Sequence, residues 1–163
     1  MFESSDGVEW SDHSADLPDA QILDAATMGA KGAVLLGWTP DNRRIAWTRR
    51  PAEKIWNSAK SFDPGRLPDA GVVPVSELNV DAVVALNSGF LALGSSGGPG
   101  QPGAVGLLWA SAEGLTWTRM PVKPNGFDQA EAFVSAAQHG DQVLLVGIGL
   151  TNIGVKLWLG RHE

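Results

Sequence analysis

The sequence predicts an all-β fold of short antiparallel strands grouped in units of four, and three observations predict it. One pattern recurs along the chain at a fixed displacement. The apolar runs are short, continuous and punctuated by glycine. No stretch keeps helical periodicity over the length of a helix. With 163 residues, 44% of them hydrophobic, the chain holds enough apolar material for one ordinary core. Seven Trp and 20 Gly accompany no Tyr and no Cys, so indoles supply bulk, glycines supply tight turns and no disulfide can form.

Each element follows from the repeat. Asp24-Ala25-Ala26-Thr27, Gly32 and Gly37 recur as Asp81-Ala82-Val83-Val84, Gly89 and Gly94, every position displaced by 57 residues. A third copy runs Glu131-Ala132-Phe133-Val134, Gly140 and Gly147, with three more residues between its acid and its last glycine. The first copy predicts strands at 22–27, 33–38, 44–49 and 55–57. The second predicts 80–86, 90–95, 105–110 and 116–120. The third predicts 132–137, 142–148 and 155–159, and the chain then ends without a fourth strand. A helix over 20–33 is disfavoured by Thr27, Gly29 and Gly32, and by the β-branched residues at the matching positions of copy two.

Runs such as Val83-Val84-Ala85-Leu86 and Val143-Leu144-Leu145-Val146 do not alternate with polar residues, so both faces of their strands are expected to be covered. Radial packing of four-stranded sheets supplies that cover, and the expected architecture is a β-propeller with about three blades per chain. One domain is expected over 1–163. The opening corner and final strand of a split blade fall at 1–19, blades at 20–60 and 78–121, and the other three strands of the split blade at 129–160. Since three blades leave two faces open, the arithmetic points to a homodimer closing a six-bladed ring, with Val8 to Ser11 adding the missing strand beside Val155 to Leu159.

The corners between third and fourth strands carry a motif. Ser4-Ser5-Asp6-Gly7-Val8-Glu9-Trp10 compares with Ser111-Ala112-Glu113-Gly114-Leu115-Thr116-Trp117. A short acid ahead of Gly accepts hydrogen bonds from turn amides, Gly takes a positive φ, and Trp covers the corner. Arg50-Pro51-Ala52-Glu53-Lys54-Ile55-Trp56 keeps only the Trp, so Pro51 is expected to stiffen that turn instead. The pattern resembles the Asp-box, or BNR, repeat of the sialidase-like β-propellers, in a form one residue shorter between acid and Gly. Ser4, Asp6, Gly7 and Trp10 match one box; Ser111, Gly114, Thr116 and Trp117 match another, with Glu113 in the Asp place. The resemblance implies a structural role for these residues. It also implies, for an active sialidase, a Tyr nucleophile that this chain lacks. Arg49 and Arg119 flank corners and Arg161 lies in the tail, which fits no cluster for a substrate carboxylate.

Chemistry outside the corners is sparse. His13, in Asp12-His13-Ser14-Ala15-Asp16, reads as part of a solvated connection, His139 as a turn residue and His162 as part of a terminus. Asp24, Asp81 and Glu131 occupy one place in the three copies, near the start of each first strand. They are the candidate ligand-binding acids at a channel mouth, for a cation or a basic ligand. The bland reading is that each solvates its own strand end. The segment 94–103 is Gly-rich but lacks the Lys-Ser or Lys-Thr of a phosphate loop and reads as a long hairpin connection. No catalytic, metal or cofactor residue is called for.

The net charge of −6 disfavours nucleic acid or an anionic membrane as partner. The arginines at 43, 44, 49 and 50 read as the polar face of a strand. No signal peptide or apolar span is evident, and the compartment stays open. The expected function is a non-catalytic scaffold that self-associates and binds protein, peptide or glycan through loops and a channel mouth. The alternatives are a glycoside hydrolase using channel carboxylates and the C-terminal part of a larger sialidase-like protein.

Overall fold

A computed structural model describes residues 2–4, 6–12, 16–17, 22–41, 43–59, 61–62, 66–67, 71–72, 78–97, 103–121, 126–149 and 154–161. His13, His162 and the middle of the Gly-rich segment lie outside the described residues. The chain opens with a ribbon of β1 (Phe2–Glu3) and β2 (Ser11–Asp12). Sheet one is β3 (Ile22–Gly29), β4 (Gly32–Trp38), β5 (Arg44–Arg49) and β6 (Asn57–Ser58), antiparallel and in chain order. The short strands β7 (Ser61–Phe62), β8 (Arg66–Leu67) and β9 (Gly71–Val72) follow, β8 and β9 forming a ribbon of their own.

Sheet two is β10 (Leu78–Leu86), β11 (Gly89–Ser96), β12 (Val105–Ser111) and β13 (Thr116–Arg119), with β7 added parallel to β13 at the far edge. Sheet three is β14 (Ala130–His139), β15 (Gln142–Gly149) and β16 (Val155–Arg161), preceded by a 3-10 turn over Phe127–Gln129.

The sheets stack face to face because their strands are apolar on both sides. Along β11, Phe90 and Ala92 point toward sheet one and join Val34, Leu36 and Ala46 in one cluster. Leu91 and Leu93 point the other way and join Phe133 and Leu145 of sheet three. All eight residues of β11 are accordingly buried, the covered state that non-alternating runs require. The outer face of sheet one carries Leu35, Trp47 and Trp56, with Leu17 laid on them. The outer face of sheet three leaves Val155, Leu157 and Leu159 exposed.

This arrangement corrects the expected architecture. The protein is all-β, with three separate antiparallel sheets, and none of them closes or curls. It is not a closed β-propeller, and the Asp-box, BNR, sialidase-like identification and the six-bladed ring built on it are not supported. The physical reason is that four-strand spacing and a hydrogen-bonded corner are properties of one sheet and its nearest neighbour. An open stack satisfies both. Closure depends on the two outermost faces, about which the repeat carries no information.

The repeat does account for irregularities inside the strands. Pairing slips between Leu23 and Ala25 in β3 and between Val80 and Ala82 in β10, which places Asp24 and Asp81 at β-bulges. Opposite these bulges the backbone comes so close that a side chain at Gly37 or Gly94 would collide with the carbonyl oxygen of Ile22 or Asn79. The repeated glycines are thus the partners of the repeated acids.

Candidate functional site

The structure brings two of the three candidate acids together. Arg44 on β5 reaches across sheet one to form an ion pair with Asp24, donates from Nε to the carbonyl of Leu78 at 3.3 Å, and lies 3.9 Å over the Trp38 ring. Its side chain is only 7% exposed. Asp81 belongs to the same cluster: loss of hydration raises its carboxyl above the usual range, Arg44 pulls it down and Asp24 pushes it up. Burial lowers the Arg44 guanidinium, while Asp24 and then Asp81 support its charge. Bonded to Asp24 of β3 and to the Leu78 carbonyl of β10, Arg44 ties the first strands of sheets one and two together, a buried role that differs from the polar strand face expected from the sequence.

Glu131 is elsewhere, on sheet three, at the first of two bulges in β14. The second bulge falls between Phe133 and Ser135, and a side chain at Gly147 would meet the carbonyl of Ala132 at 2.6 Å. Asp24 and Asp81 each lie two residues after the carbonyl facing their glycine; in sheet three that position is Val134. The three extra residues in the third copy are the signal for this shift.

The corners form as local devices. In the first, the Gly7 amide donates to Ser4 Oγ at 2.7 Å, and the Val8 and Glu9 amides donate to Asp6 Oδ1 at 2.8 and 3.0 Å. Those amide bonds, with the Ser4 hydroxyl, hold the Asp6 carboxyl below its usual range. In the second, Gly114 N–H donates to Ser111 Oγ at 2.8 Å and Thr116 N–H to Glu113 Oε1 at 3.2 Å. The Trp117 indole donates to the Gly114 carbonyl at 3.0 Å. The divergent corner uses Glu53, whose carboxylate accepts from the Arg50 amide at 3.3 Å and from Asn57 Nδ2 at 3.1 Å. An acid displaced along the turn thus bonds the corner that also contains Pro51.

A cleft of about 1040 Å³ opens between sheets two and three. Its walls are apolar, with Leu91 and Leu108 on one side and Val143, Leu145 and Trp158 on the other, and Met120 and Phe127 between them. Ser111, Glu113, Thr116, Thr118 and Arg161 add polar groups. Phe127, Phe133 and Trp158 pack on one another with ring centroids 5.1 to 6.0 Å apart. The cleft borders β16, the last strand of its sheet, which has no further pairing partner among the described residues. Sequence reasoning missed it, although the third copy, with three strands among the described residues, marks the place.

Among the described residues no group of three or more His, Cys, Asp and Glu side chains could hold a metal ion, and no helix is long and apolar enough to cross a membrane. His139 ends β14 at an exposed turn. No protein family, curated protein or solved structure matches this chain.

Proposed function

We propose that this chain is a non-catalytic binding module that takes an extended polypeptide segment, with a large apolar or aromatic side chain, between sheets two and three. The observation that carries the reading is the apolar cleft lying beside an unpaired strand edge. An edge strand offers backbone donors and acceptors to an added strand, and a neighbouring pocket selects its side chain. A peptide fits better than a glycan, because the aromatic rings of the cleft pack against one another rather than standing as open platforms. Hydrolysis by paired carboxylates finds no support in the cleft, where Glu113 is the one lining carboxylate among the described residues.

Selection of binders from a random twelve-residue peptide display library tests the reading, with the Trp10→Ala chain as target so that the exposed indole of this chain does not compete for the cleft. Enriched peptides are expected to carry an aromatic residue within a strand-forming stretch and to lose binding at least tenfold on Ala110→Arg, which fills the cleft wall. Absence of binders, or binders indifferent to that substitution, overturns it.

A further inference from the structure

The corner of sheet two shows how a fourth strand is seated in this molecule. Trp117 is buried at the interface of sheets one and two. A side chain at Gly114 would lie 2.7 Å from Val34 Cγ2 and 2.8 Å from Thr48 Oγ1, and the Thr48 hydroxyl donates to the Glu113 carbonyl at 3.2 Å. Val34 and Thr48 are cross-strand partners in sheet one. The corner of sheet two thus rests on one cross-strand pair of sheet one. In sheet two the equivalent pair is Leu91 and Ala110, also cross-strand partners, and both line the cleft. The cleft is therefore the place where a corner and fourth strand of sheet three would sit.

The chain contains a corner with no such place. Ser4 to Trp10 has the turn bonds already formed, yet Trp10 is 60% exposed and Val8 is exposed. Nothing lies within 4 Å of where a Gly7 side chain would be. The registers agree as well. Trp109 pairs with Arg119 and Ala110 with Thr118 in sheet two, and Phe2 pairs with Asp12 and Glu3 with Ser11 in the opening ribbon. The two residues of β1 therefore stand where Trp158 and Leu159 of the longer β16 belong.

From this we infer that the occupant of the cleft is the N-terminal corner of a second copy of this chain. Its β2 leaves β1 to pair with β16, and its Trp10 enters between sheets two and three. The inference rests on the proposed peptide-binding role of the cleft. A second copy is favoured over the same chain by reach. Leu17 is buried on the outer face of sheet one, and sheets stack about 10 Å apart, so the cleft lies roughly 20 Å away straight through sheets one and two. Seven residues from Leu17 to Trp10 span at most about 25 Å fully extended, which leaves no length for the path around the edges. Reciprocal exchange between two copies satisfies both corners with two-fold symmetry.

Light scattering and cross-linking test this together. The wild-type chain is expected at about twice its mass of 17.2 kDa at micromolar concentration, and Trp10→Ala at the single-chain mass. Because the chain has no Cys, Ser11→Cys and Leu159→Cys introduce unique thiols at positions that pair in the docked register. Oxidising a mixture of the two single variants is expected to give a disulfide-linked pair containing one of each. A wild-type monomer, or a dimer insensitive to Trp10→Ala, overturns the inference. So does a Ser11→Cys, Leu159→Cys double variant that cross-links only within one chain. In each case selected peptides that bind the cleft of the Trp10→Ala chain leave the binding role standing, whereas absence of cleft binding by any peptide to that chain removes both.

Discussion

In the corners Ser4–Trp10 and Ser111–Trp117 the serine receives the glycine amide at 2.7 and 2.8 Å, and the acid receives the amide three residues on at 3.0 and 3.2 Å. The indole that ends the first corner is nonetheless 60% exposed and the one that ends the second 1% exposed. The same residues fold the same turn whether or not a sheet lies beneath it. Turn formation is thus set by a few neighbouring residues, while the contribution of the corner to stability comes from the surface it meets.

The comparison breaks most readily at the indoles. Trp117→Ala is expected to lose about 3 to 5 kcal/mol, measured by denaturant unfolding. Trp10→Ala, made in the Ala110→Arg background where the cleft wall is filled, should change stability by no more than about 0.5 kcal/mol. Trp38→Ala should cost less than Trp117→Ala, since Trp38 is only half-buried; equal losses at 38 and 117 would show that corner burial is not the determinant.

The glycines sharpen the same contrast. Both have positive φ, +76° at Gly7 and +80° at Gly114, so Ala at either pays left-handed strain of about 1 to 2 kcal/mol. Gly114→Ala must also displace Val34 and Thr48, adding about 1 to 3 kcal/mol. Unfolding curves that give the two variants equal midpoints would contradict the packing argument.

Charge effects are smaller. Asp81 has a raised carboxyl pKa in the folded chain, so its ionisation penalises folding above that pKa, and the penalty disappears below the ordinary carboxylate value. Asp81→Asn should therefore raise the denaturation midpoint slightly at pH 7 and flatten its pH dependence in the acid range. Asp6 has the opposite sign. Its lowered pKa stabilises the corner above the ordinary value, and that support is lost as pH falls through the folded pKa. Amide exchange at Val8 and Glu9, corrected for intrinsic rates, should show lessening protection over that range in wild type and no such change in Asp6→Asn.

The strands, their grouping and the corner at Ser111 were legible because they depend on residues close in sequence: apolar runs, glycines that admit close backbone approach, and an acid before a turn. Stack closure was not, because it depends on Leu17 against Leu35 and Trp47, a contact outside the repeat. Arg44 looked like a surface cation because its carboxylate partners come from two different first strands. Glu131 was assigned by its charge, whereas the backbone at Gly147 places Val134 in that position. Glu53 escaped notice because its turn keeps the acid at a different offset from the Trp.

The burial of β11 on both faces also orders events in time. A strand whose two sides lie in different interfaces has no finished environment until both neighbouring sheets exist, so the middle sheet cannot mature as an independent unit. During synthesis from the N-terminus, Phe90 and Ala92 find sheet one already available. Leu91, Leu93 and Leu108 remain uncovered until Phe133 and Leu145 have emerged. The interval between synthesis of residue 111 and residue 145 is therefore when a nascent chain is most exposed to aggregation and to capture by chaperones.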